Sequence, residues 1–86
     1  MYLHLGNKTV INSNEIIGIF DLDTTTVSKR TRDFLNKNEK MNNIVNVSHE
    51  IQISFVVCNN KENETKIYFS PVSSITLNKR TEENYK

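Results

Sequence analysis

Eighty-six residues at 10.0 kDa make one small domain, which excludes a two-lobed enzyme with a cleft between domains. Eleven lysines and arginines face ten aspartates and glutamates, and the net charge of +1 excludes a uniformly basic nucleic-acid coat or an acidic tail protein. With 36% hydrophobic residues and a mean hydropathy of -0.54 the core is thin, so a homo-oligomer that buries apolar surface between subunits is expected.

Nine isoleucines, seven valines and eight threonines, against no alanine, no tryptophan and five leucines, favour sheet, because β-branched side chains suit a pleated surface. The thirteen asparagines are read as a coding bias without functional weight. Cys58 is alone and follows Phe55-Val56-Val57, so it reads as a buried structural thiol of a reducing compartment, with no disulfide and no metal clip. The chain shows no leader pattern and no apolar run near the ~20 residues a spanning helix needs, so a cytoplasmic protein without membrane contact is expected.

Along the chain, Met1 to Leu5 and Thr9-Val10-Ile11 read as two short strands joined by a tight turn at Gly6-Asn7. Glu15 to Leu22 is strongly apolar and reads as a central strand, with Gly18 marking a bulge or a close approach. After Asp23-Thr24-Thr25-Thr26, which offer capping oxygens, Val27, Thr31, Phe34 and Leu35 form the stripe of an amphipathic helix over about 26–39. Its other faces hold Lys29, Arg30, Arg32, Lys37 and Lys40 against Asp33 and Glu39, the most basic stretch of the chain.

Ile44 to Val47 reads as a strand, and Ile51 to Cys58 as a strand running from a sheet edge into a core. A polar turn over 59–64 leads to a second hairpin arm, Thr65 to Phe69, ended by Pro71. Ser74 is a candidate cap for a short helix through Arg80, and 81–86 reads as a frayed tail after a single domain over 1–80. The expected fold is therefore α+β: a small β-rich domain of five to six short strands with one amphipathic helix and a short C-terminal helix. Tyr2 to Leu5 and Ile44 to Val47 are the candidate edge strands.

Catalytic chemistry finds little support. His4 and His49 have no second histidine at ligand spacing and read as structural or surface residues. Asp21 and Asp23 read as caps for the helix that follows. No serine-nucleophile motif is present, and two glycines cannot build a phosphate-cradling loop. No enzyme, cofactor, metal or small-molecule ligand is expected. What remains is binding: Lys29, Arg30, Arg32, Lys79 and Arg80 are the candidate contacts to a DNA backbone, with Lys37, Lys40 and Lys66 near them in type. The arginines show no interleaved aromatics, so a stacking platform for single strands is not indicated.

The opening Met1-Tyr2-Leu3-His4-Leu5-Gly6, the segment Ile16-Ile17-Gly18-Ile19-Phe20-Asp21 and the closing Tyr68-Phe69-Ser70-Pro71-Val72-Ser73-Ser74-Ile75-Thr76-Leu77-Asn78-Lys79-Arg80 resemble the bacterial extracellular matrix regulatory proteins, the RemA and RemB family, over about residues 1–80. The similarity is greatest to the RemB branch. The resemblance implies a LytTR-like, ring-forming cytoplasmic regulator of biofilm-matrix genes that binds double-stranded DNA. The basic positions of the RemA branch do not carry over, since the corresponding segments here read Glu15 and Ser48-His49-Glu50-Ile51-Gln52. A charge reversal at a phosphate contact replaces attraction by repulsion, so an oligomeric protein-interaction scaffold that has lost DNA binding is the alternative.

Overall fold

The computed structural model describes residues 2–22 and 28–83. The described residues form two helices and six strands, the strands arranged in two sheets: a hairpin of β1 (Tyr2–Gly6) and β2 (Thr9–Asn12), and a four-stranded sheet of β3 (Ile16–Asp21), β4 (Ile44–Asn46), β5 (Ser54–Asn59) and β6 (Thr65–Ser70) in the order β3-β5-β6-β4. A 3-10 turn, Ser13–Glu15, links β2 to β3. Helix α1 spans Lys29–Lys40 and α2 spans Ser74–Glu83.

The β1–β2 hairpin follows from alternation and from its turn. Leu3 and Leu5 point inward with no exposed surface while Tyr2 and His4 face out. Asn7 and Lys8 have φ of 44° and 66°, the paired left-handed conformation that a two-residue hairpin turn requires, and Gly6 precedes them at φ 112°, where a Cβ would be strained. Asn7 Nδ2 donates to the Val47 carbonyl at 3.1 Å and pins the turn to the sheet.

β5 and β6 are the central strands. β5 pairs antiparallel with β3 and β6, and β4 joins β6 in parallel with Ile44 opposite Ile67. β3 and β4 are therefore parallel strands at opposite edges, and the connection between them must cross the sheet, which α1 does. Side chains of β5 alternate between two cores. Val56 and Cys58 join Leu3, Leu5, Ile11, Val47 and Leu77 on the face covered by the hairpin and α2. Phe55 and Val57 join Leu35 and Ile67 on the face covered by α1. With both faces covered, β5 is buried from Ser54 to Cys58.

Four expected boundaries shift. The segment 15–22 is an edge strand, because β5 takes the central place; a bulge at Ile17 leaves that side chain 66% exposed. Gly18 permits a close approach as expected: a Cβ there would meet the Phe20 ring at 2.6 Å, and that ring stacks on Phe55 at 5.1 Å between centroids. Ile51 to Ile53 precede β5: Gln52 Nε2 donates to the Ser48 and Glu50 carbonyls and Ile51 is 85% exposed, while Ile53 N–H still donates to the Ser70 carbonyl at 2.9 Å. The long helix begins at Lys29, with Ser28 extended and making no side-chain cap; the expected caps Asp23 to Thr26, and Val27, lie outside the described residues. The cap of the C-terminal helix is Ser73, whose Oγ accepts from Thr76 N–H at 3.1 Å, and the helix continues through Glu83, past its expected end at Arg80.

The Ser70-Pro71-Val72 segment ties the layers together. Ser70 is fully buried, its Oγ donates to the Leu5 carbonyl, and it accepts from Val72 N–H. Ser54, its partner across the ladder, donates to the Val72 carbonyl at 2.6 Å.

Cys58 is buried as expected, and that burial, reinforced by the Glu15 carboxylate, pushes its thiol from an ordinary value of 9.0 up to about 12. A folded-state value raised in this direction favours the neutral thiol. The stabilising contribution is then complete below about pH 9 and is lost as the pH climbs toward 12. Iodoacetamide at pH 8 should leave Cys58 unmodified in the native protein and label it in urea, while the thermal midpoint declines above pH 9; fast native labelling would contradict this burial.

Candidate nucleic-acid interface

α1 carries its cations outward because Leu35 turns into the sheet beside Phe55, Val57 and Ile67. Lys29, Arg30, Arg32, Lys37 and Lys40 all lie on exposed positions of this helix. Its buried Asn38 is satisfied, with Nδ2 donating to the Phe34 carbonyl at 2.8 Å and Oδ1 accepting from Asn43 Nδ2 at 3.0 Å. Lys37 and Lys40 occupy the last turn, where positive charge complements the helix dipole. Lys29 and Arg30 occupy the first turn, where it opposes the dipole, and no acidic residue is present there.

Lys79 and Arg80 sit elsewhere. α2 covers the opposite sheet face from α1, so the two basic groups do not form a single surface. Lys79 is exposed, whereas Arg80 is half-buried and donates from Nη1 to the His4 carbonyl at 2.9 Å, joining α2 to β1. Lys66 is half-buried on β6. Glu15 is half-buried near Cys58 and Tyr68, the second of which it also pushes upward after the larger effect of burial and that of Cys58 itself. His49 and Glu50 are exposed in the loop before β5, and His4 is exposed on β1.

Two features were not legible in the sequence. Phe34 is part of the expected inward stripe, yet it is 40% exposed and shares a groove of about 350 Å³ with Ile17, Phe20 and Arg30 beside the edge of β3 that pairs with no strand among the described residues. An aromatic therefore does stand next to an arginine, and Tyr2 likewise lines a cavity with Arg80. The periodicity that places Phe34 on the inner face was visible; the width of the sheet it has to cover was not.

Among the described residues no group of histidine, cysteine, aspartate and glutamate is arranged to hold a metal ion, and no helix is long and apolar enough to cross a membrane.

A model of the RemA-like proteins, described as extracellular matrix regulatory protein A-like, matches residues 2–81. The chain belongs to this family. It is also 35% identical over 82 residues to extracellular matrix regulatory protein B of Bacillus subtilis (strain 168), covering 95% of this chain and 91% of that relative. The RemA-like assignment agrees with the expected resemblance and makes the protein an extracellular matrix regulator by family. Within this RemA-like chain the Ser70-Pro71 step and Leu77 of the closing motif have packing duties, while Lys79 points to solvent.

Proposed function

We propose that this protein is a non-catalytic, DNA-associated regulator of bacterial matrix genes, cytoplasmic and assembled as a homo-oligomeric ring, that contacts the DNA backbone through the start of α1. The observation that carries this reading is the pair Lys29 and Arg30 in the first helical turn, with Arg32 following. Each positive charge at that end costs about 0.3–1 kcal/mol against the dipole, and an external phosphate removes the conflict by pairing with both the side chains and the helix amides. Lys37 and Lys40 extend the same helix toward a neighbouring phosphate.

Assembly would use the outer edge of β3, which pairs with no strand among the described residues and carries the exposed Ile17 and Phe20 beside Phe34. A second copy supplies the missing strand pairing and covers apolar surface that a domain of this size can ill leave in water. The scaffold alternative is favoured by Glu15, His49 and Glu50, where the DNA-binding branch is basic.

An electrophoretic shift on generic and promoter duplexes, run beside light scattering, tests both. Three phosphate contacts per subunit give about a 40-fold loss of affinity between about 50 and 200 mM salt, from a slope of about -0.9 per contact. Assembly without any shift at low salt would support the scaffold, and a strict monomer would overturn both readings.

A further inference from the structure

Two basic residues far apart in the chain, Lys8 from the hairpin turn and Arg80 from α2, line one cavity together with His4 from β1. The cavity holds about 540 Å³, within the range of small-ligand sites, and is completed by Tyr2, Gly6 and Val72 among others. No carboxylate lines it among the described residues, although the protein as a whole carries nearly as many acidic as basic groups.

Hydrogen bonds hold two of the walls. Gly6 faces Pro71 and Val72, where an added Cβ would make ordinary contact at 3.5 Å from the proline ring. Asn7 is held by its bond to the Val47 carbonyl. Arg80 is held by its bond from Nη1 to the His4 carbonyl, which uses one of the five donors of a guanidinium and sets the orientation of the rest. An arginine oriented in advance, with the lysine of the hairpin turn lining the same cavity and no carboxylate beside them among the described residues, suits an oxyanion such as phosphate better than an apolar ligand.

We infer that the cavity between the β1–β2 turn and α2 is a phosphate-binding site, in which Arg80 forks onto the phosphate oxygens and Lys8 closes it from the turn. The phosphate is that of a small phosphorylated ligand or of a nucleic-acid backbone; the chemistry is the same. The site lies on the sheet face opposite the α1 cations and does not depend on them.

The test is an amide-shift titration of the full chain with inorganic phosphate, with adenosine 5′-monophosphate and with a generic 20-base-pair duplex. Saturable shifts are expected at Gly6, Asn7, Lys8 and Val72. Lys8→Asn, which keeps a residue tolerant of the left-handed turn, should weaken binding about tenfold, and Arg80→Gln by at least as much. The double variant Lys29→Glu with Arg30→Glu should leave the shifts with inorganic phosphate and adenosine 5′-monophosphate unchanged, which separates this site from the proposed DNA face. Shifts with the two small probes identify a small-ligand site, and shifts with the duplex alone identify a backbone contact; both support phosphate binding. No saturable shift with any probe, or an affinity unchanged from the native protein in both Lys8→Asn and Arg80→Gln, would overturn it.

Discussion

Replacing Lys29 and Arg30 together by glutamate is expected to weaken duplex binding by one to two orders of magnitude while making the fold more stable. The two effects have one origin. At the first turn of α1 the helix presents the positive end of its dipole, and both native side chains add to that charge. Glutamates there interact favourably with the dipole, which contributes roughly 0.6–2 kcal/mol for the pair and raises the thermal midpoint by several degrees in a domain of this length. A phosphate meets the reverse situation: two attractions disappear and two repulsions replace them, and the salt slope becomes shallower by about 2. Calorimetric melting and electrophoretic shifts at three salt concentrations read both quantities on one preparation. A variant that melts higher and binds as well as the native protein would remove α1 from the interface, and loss of binding with loss of fold would mean that these cations serve structure instead.

Leu77→Ala should be the most damaging single truncation on the hairpin side. Leu77 is fully buried among Leu3, Leu5, Val56 and Cys58, whereas Ile75, the nearest apolar residue of α2, is 72% exposed. The helix thus depends on one large side chain, supported by the Arg80 bond to His4 and by the Ser73 cap. Removing three buried carbons leaves a cavity that close-packed neighbours refill incompletely, at about 2.7–5 kcal/mol. A domain of this length has total stability on the order of 5–10 kcal/mol, so about half of it is at stake. Urea denaturation should show the midpoint falling steeply for Leu77→Ala and shifting little for Leu77→Met, which keeps the volume. A midpoint unchanged in Leu77→Ala would mean that the packing of α2 contributes little to the fold.

The order of strands and helices was largely legible, because each depends on local pattern: alternation in β1, an apolar run in β5, a 3.6-residue stripe in α1. Of the thirteen asparagines, Asn7, Asn42 and Asn63 occupy left-handed positions, where their side chains lower the strain, and Asn60 Oδ1 accepts from both Glu62 and Glu64 N–H at 2.9 Å in the β5–β6 turn. A count across the chain hides these roles, since they lie in backbone angles and turn hydrogen bonds.

The basic residues show the same division. Sequence marked Lys29, Arg30, Arg32, Lys79 and Arg80 as the cations to consider, but charge alone has no direction. The crossing of α1 from one edge strand to the other, and the folding of the hairpin and α2 onto the opposite face, separated them into two groups.

Length and β-branched composition were enough to determine a small, β-rich domain, because those properties constrain burial whatever the topology. Tertiary structure decided that the 15–22 segment lies at an edge, and that Arg80, distant in sequence from His4 and Lys8, lines one cavity with them. The physical reason is that side-chain periodicity sets which face of an element is buried, while only long-range strand pairing sets what that face meets.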